Sequence, residues 1–176
     1  MAQGFFDRYE SEGFFDEMFD GEGKVRPHYQ SILERFTEMD AQTFERKRAL
    51  AEKAYLNQGI TFTIYSGDEG TERIMPFDLV PRIIPPDEWN LLERGLEQRL
   101  RALNLFLHDI YHDQRIIREG IIPLEIIRTA KHYRPELIGV DVPHDIYIHV
   151  CGTDLIRGAD GGYLVLEDNG RCPSGV

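Results

Sequence analysis

No apolar run in this chain of 176 residues approaches the roughly 20 that a membrane-spanning helix needs. Nor does a basic stretch lead into an apolar one at the N-terminus. Met1 to Glu22 is acidic and rich in Phe, so no secretory signal is expected. Cysteine is scarce. Cys151 and Cys172 are too few for a disulfide framework, and a reduced, cytoplasmic setting is the natural expectation. Positive charge is outnumbered, with 20 Lys and Arg against 31 Asp and Glu and a formal net charge of −11. Like charges repel, which argues against nucleic acid or an anionic membrane as a partner for the whole surface. Small anionic substrates stay compatible, because one local basic or metal site overrides net charge. Plain solubility is the simpler consequence of the acidity. A phosphate loop is missing as well. Gly158-Ala159-Asp160-Gly161-Gly162 has neither the Lys-Ser/Thr ending nor the following helix, and reads as a hairpin turn.

What is present is a globular pattern. Hydrophobic residues make up 41%, and the length suits one domain with at most a small appendage. Residues 1–25 carry Gly4-Phe5-Phe6-Asp7 and Gly13-Phe14-Phe15-Asp16 without long periodicity, and read as an extended or partly disordered arm. Pro27 fits the first turn of a helix holding Tyr29, Ile32, Leu33 and Phe36. Asp40 is a good N-cap for a second helix, which Gly59 ends. Thr61 to Tyr65 alternates as a strand, and Ser66 to Gly70 reads as a turn. Phe77 to Pro85 is apolar but broken by proline, which suits an edge strand or an extended segment. The longest helix starts at Pro86 and runs to about His112, with Trp89, Leu92, Leu96, Leu100, Leu103, Leu107 and Ile110 as its buried face. Pro123 opens a shorter helix, and residues 130–145 read as a loop crossing. Two strands close the chain: Asp145 to Cys151, leading towards Asp154, and Gly162 to Glu167, leading to Asn169. The fold class is α+β, with mixed helices and a small sheet ending in a β-hairpin.

The chemistry gathers in that hairpin, residues 145–176. Side chains two apart on a strand share a face, so Glu167 and Asn169 point the same way, with Cβ atoms roughly 6–7 Å apart. Folded symmetrically about its loop, the hairpin sets Asp154 opposite Val165, diagonal to Glu167 and on the same face. A slip of one residue would turn Asp154 to the wrong side. Two carboxylates and an amide oxygen on one face suit magnesium, with phosphate oxygens and waters completing its shell. An idle, solvated acidic hairpin end is the other reading of the same spacing.

Asp154-Leu155-Ile156, then Tyr163-Leu164-Val165-Leu166-Glu167-Asp168-Asn169-Gly170-Arg171-Cys172-Pro173-Ser174-Gly175-Val176, resembles the signature of the circularly permuted type 2 ATP-grasp proteins. Arg26 to Tyr29, Gln58 to Thr63, Gly70 to Ile74, Pro76 to Pro85 and Arg101 to Tyr111 resemble the same family in order, so the likeness covers nearly everything beyond residue 25. The family is similar to the synthetase domain of glutathionylspermidine synthase. The resemblance implies that Asp154, Glu167 and Asn169 bind Mg2+, that ATP is the co-substrate, and that Ser174 contacts substrate. Cys172 stands where that relative has another serine, and Gly152 where it has an arginine, whose charge Arg171 could replace. The implied chemistry is carboxylate–amine ligation through an acyl phosphate, with small carboxylate and amine substrates. Family members run beyond Val176 into a region whose lysines hold ATP. Residues 26–176 are therefore expected to be the N-terminal portion of such a domain, inactive alone and completed by the ATP-binding portion or a chain carrying it. No catalytic residue is assigned within this chain. A non-catalytic binding or structural protein that keeps part of the fold is the alternative.

Other groups have simpler readings. His108 and His112 have metal-ligand spacing, but a histidine pair at a helix C-terminus serves as well. Cys151 reads as a buried inert thiol, while Cys172 lies in the loop of interest without a paired base. Arg73 and Arg82 fall in family-like segments and are candidates to face a carboxylate, although exposed arginines are common.

Overall fold

A computed structural model describes residues 6, 9–10, 13–66, 69–74 and 77–173, with the backbone alone for 63–66 and 69–72. The chain is α+β and divides into two compact units, Met1–Pro85 and Pro86–Val176.

In the first unit, Pro27–Tyr29 forms a single tight turn that feeds α1 (Gln30–Thr37). Asp40 caps α2 (Ala41–Asn57) by accepting the Thr43 N–H at 2.6 Å. Gly59 ends it in the left-handed region, at φ +68°. β1 (Thr61–Ser66) then pairs antiparallel with β2 (Glu69–Ile74). The turn expected from Ser66 to Gly70 is therefore tighter, because Ser66 still pairs with Glu69 and Tyr65 with Gly70. Residues 77–85 form no strand among the described residues. Their anchor is Tyr29, which is fully buried: its hydroxyl donates to the Pro81 carbonyl at 3.0 Å and accepts the Ile83 N–H at 2.8 Å. Near the N-terminus, Met18 is buried and the Phe6 ring packs edge-on against Phe19 and Phe36.

The second unit is organised by α3 (Pro86–Tyr111). Its apolar stripe is buried at Leu92 and Ile110, whereas Trp89, expected inside, is 52% exposed. Trp89 lies in the first turn of the helix, and the core gathers at the other end. There Ile110, Tyr111 and Ile127 are buried, with Phe106, Leu107, Tyr133 and Tyr147 packed against them. Asp109 turns the chain into α4 (Arg115–Arg118), a short helix absent from the sequence reading, by accepting the N–H groups of Arg115 and Ile116 at 3.0 Å each. α5 (Leu124–Thr129) follows Pro123 and supplies Ile127.

The strand expected from Asp145 to Cys151 does not form. His144 and Asp145 hold φ of +58° and +57°, outside extended geometry. The N–H groups of Tyr147 and Ile148 go to a side chain rather than to a neighbouring strand: both donate to Asn104 Oδ1, at 2.8 and 3.0 Å. Asn104 in turn donates to the Leu100 carbonyl at 3.1 Å, so one amide ties residues 147–148 to α3. The strand begins only afterwards, as β3 (Gly152–Arg157), paired antiparallel with β4 (Tyr163–Asn169).

Removing that amide leaves two backbone donors unpaired. Asn104→Ala is expected to cost about 1–3 kcal/mol of stability in urea denaturation, while Leu105→Ala, on the exposed face of the same helix, stays within about 0.5 kcal/mol. Equal effects of the two would contradict this role for Asn104.

Candidate functional site

The β3–β4 hairpin is joined to α3 at both ends. At one end the Arg99 guanidinium straddles Asp168 Oδ2, with Nε and Nη2 each at 2.7 Å, and the Thr153 hydroxyl donates to Asp168 Oδ1 at 3.0 Å. At the other, Arg157 lies over the Tyr163 ring at 3.9 Å and pairs with Glu88 at 2.9 Å, while the Tyr163 hydroxyl donates to Glu88 at 3.1 Å. The turn between the strands is the expected hairpin: Gly158 N–H donates to the Gly162 carbonyl at 2.8 Å, and Gly161 takes φ +83°.

With Thr153, Asp168, Arg157 and Tyr163 turned towards α3, alternation puts Asp154, Glu167 and Asn169 on the other face. Here the register corrects the expectation. Arg157 pairs with Tyr163 and Leu155 with Val165, one residue out of step with symmetric folding. Continued unbroken, that slip would oppose Asp154 to Leu166 and turn Glu167 away. A bulge between Asp154 and Leu155 leaves Leu166 as the extra residue, and Asp154 pairs directly with Glu167 instead of Val165. Two carboxylates thus stand opposite each other across the ladder, both exposed. Asn169 Nδ2 donates to Glu167 Oε1 at 3.1 Å and leaves its own oxygen available. Among the described residues neither Asp154 nor Glu167 forms an ion pair. No cluster of three or more His, Cys, Asp or Glu side chains suited to a metal occurs among the described residues; here the third donor is an amide. Two carboxylates and an amide oxygen are the hard donors that a small divalent cation takes, with room for phosphate and water.

Past Asn169 the chain folds back over β3. A Cβ added at Gly152 would lie 3.1 Å from Pro173 Cβ, and one at Gly170 would lie 3.2 Å from Ile148 Cδ1. At Gly152, where the sequence resemblance leads to an arginine being expected, any side chain would press on Pro173, which would have to give by a few tenths of an ångström. Arg171 and Cys172 are exposed on this loop, and Ser174 lies outside the described residues. Both cysteines are free thiols, Cys151 half-buried with its sulfur 3.6 Å from the Thr153 hydroxyl.

The remaining candidates go elsewhere. The His108 and His112 rings stack at 4.2 Å, and their nitrogens approach different carboxylates, Asp145 at 3.5 Å and Asp141 at 3.3 Å, rather than a common point. Arg73 and Arg82 are exposed in the first unit. Sequence reasoning missed Asp168, Thr153 and Arg99. The period-2 alternation that puts Glu167 and Asn169 on one face gives Asp168 the other, but its partner is 69 residues upstream.

This is thus an α+β chain whose hairpin presents two carboxylates and an amide on one open face. It belongs to the circularly permuted ATP-grasp type 2 family, whose sequence profile matches residues 81–176. The chain is 41% identical over 168 residues to an uncharacterized protein of Synechocystis sp., covering 96% of this chain and 35% of that one. It is 45% identical over 162 residues to an uncharacterized protein of Mycobacterium leprae, covering 92% and 28%. A protein of Frankia casuarinae named "Putative glutamate--cysteine ligase 2-2" is 41% identical over 176 residues, covering 100% and 20%. The chain thus spans about a third or less of the length of these relatives.

The hydrogen bond from Arg99, helped by the Thr153 hydroxyl, holds the Asp168 carboxyl below the usual carboxylate range, while partial burial pulls the other way. A lowered folded value contributes stability that is fully present above the ordinary Asp pKa of about 3.9 and is lost as pH falls through the folded value. The gap in melting temperature between wild type and Arg99→Met is therefore expected to narrow as pH is lowered from about 6 to about 3. A constant or widening gap would mean that the pair does not hold the hairpin.

Proposed function

We infer that the open face of β3–β4 is the cation site of an ATP-dependent carboxylate–amine ligase, with Asp154, Glu167 and Asn169 as the groups that hold Mg2+. The observation that carries this reading is the direct opposition of Asp154 and Glu167. Like charges placed opposite on a ladder destabilise it, and neither carboxylate has a cationic partner among the described residues. When bound, Mg2+ would neutralise phosphate oxygens of ATP. The chain's own residues do the positioning. Asn169 orients the Glu167 carboxylate, and Asp168, clamped by Arg99, keeps the strand that carries both from twisting away. Arg171 and Ser174 are the residues proposed to meet the substrate.

Family membership supports the use of ATP and a divalent metal in general, and the ligase name of the Frankia relative supports the reaction class. The proposed substrates are a small carboxylate and an amine. The lysines that hold ATP in the family are proposed to come from the part of the relatives' length that this chain does not span, so that the chain supplies cation and substrate groups to a composite site and is inactive alone. The cation-bearing face supports this, because the cross-strand pair Ile156 and Leu164 is 44% and 56% exposed there and would be buried by a covering element. Two free thiols fit a reducing, cytoplasmic setting.

Calorimetric titration of this chain with MgATP tests the reading. Binding in the millimolar range, about −4 kcal/mol, lost in Asp154→Ala/Glu167→Ala, is expected. Micromolar binding that survives in the double variant would contradict it and favour a binding protein that uses another surface.

A further inference from the structure

A cavity of about 740 Å³ opens beside the loop 170–173, in the range of small-molecule sites. Its apolar part comes from Leu107, Leu137 and Ile148, together with Tyr111 and Tyr147, whose rings stack at 5.8 Å. The Tyr147 hydroxyl is buried without a hydrogen-bond partner in the protein. Besides the two tyrosines and Cys172, the ionisable lining is basic: His132, Arg134, His149 and Arg171, with no carboxylate. In a chain with 31 acidic residues and 20 Lys and Arg, a cavity lined by two arginines and no acid departs sharply from the average surface. None of these four side chains forms an ion pair among the described residues, so their donors are available. The nearby carboxylates Asp141 and Asp145 approach His112 and His108 instead.

The wall that carries Arg171 is also specifically built. Gly170 lets the loop pass against Ile148, and Gly152 lets Pro173 lie on β3. Arg171 is thereby brought to the cavity two residues from Asn169, while Arg134 comes from the loop whose backbone N–H bonds to the Tyr111 hydroxyl at 3.2 Å.

We propose that this cavity is the specificity pocket for a small organic carboxylate with an apolar or aromatic body: the leucine and tyrosine floor takes the body, and Arg134 and Arg171, flanked by His132 and His149, hold a carboxylate. This rests on the ligase reading for its place in the reaction, but binding in the pocket requires neither ATP nor metal. The acid is selected by both of its parts. An arginine fork pairs two N–H groups with carboxylate oxygens in charge-assisted hydrogen bonds, whereas an alcohol of equal size brings no charge and leaves those donors to water. Acetate carries the charge but leaves the apolar floor wet.

The test is an NMR titration of the metal-free chain with 3-phenylpropionate, using 3-phenylpropanol and acetate as controls. Saturable perturbation of the Tyr111 and Tyr147 ring signals by 3-phenylpropionate is expected, with both controls binding at least about tenfold more weakly. Arg134→Gln and Arg171→Gln, both at exposed positions, should each weaken the acid about tenfold and leave the alcohol unchanged. Asp154→Asn/Glu167→Gln should leave binding of the acid intact, so the pocket stands or falls independently of the cation site. Equal binding of the alcohol, indifference to both arginine substitutions, or no perturbation at the tyrosines would overturn the proposal.

Discussion

The pairing of the hairpin with α3 is the constraint on which the candidate site depends. Glu88 and Arg99 are eleven residues apart on one helix, about 16 Å along its axis, and they meet opposite ends of the ladder through Arg157 with Tyr163 and through Asp168. Between these ends the helix and hairpin leave a cleft of about 510 Å³ lined by side chains such as Leu92, Leu96, Leu155 and Val165. The hairpin is therefore held by long polar side chains at its ends. Because successive strand residues alternate, clamping Thr153 and Asp168 inward fixes Asp154, Glu167 and Asn169 outward. The inner face sets the outer one.

The bulge is the second element of the design. The tight turn shifts the ladder by one residue, and Leu166 absorbs the shift before the acidic residues are reached. Without it, Glu167 would pair out of phase and Asp154 would face a leucine. What the bulge creates is unfavourable for folding alone, two like charges face to face in a chain already at −11. A local arrangement that opposes stability while the rest of the unit supports it is the usual mark of a site built for a ligand. The loop beyond Asn169 follows the same logic, since its glycines allow close passage and bring Arg171 to a cavity without acids.

Local signals made much of this legible. The Asp40 cap, the Gly59 stop, the length of α3 and the glycine turn at 158–162 are written in neighbouring residues, and the structure has them. Period 2 alone put Glu167 and Asn169 on one face. What failed depended on distant partners. The apolar run from Ile146 to Val150 has strand chemistry, yet Asn104, more than forty residues earlier, takes the backbone donors that a ladder would need. Trp89 fits the helical stripe but lies at the end of α3 opposite to the one where the core gathers. The register of Asp154 turned on a bulge that no residue type announces, since Leu166 is an ordinary strand residue. His132, Arg134 and His149 are scattered through segments that read as loop and strand, and only the fold collects them with Arg171.

The central claim is that the Asp154–Glu167 face holds a divalent cation, and paramagnetic broadening by Mn2+ addresses it most directly. Substoichiometric Mn2+ added to the 15N-labelled chain is predicted to broaden the amides of residues 154, 167 and 169 first, with the effect removed by Asp154→Asn/Glu167→Gln. Broadening spread evenly over the acidic surface, or centred elsewhere and unchanged in the double variant, would contradict the account.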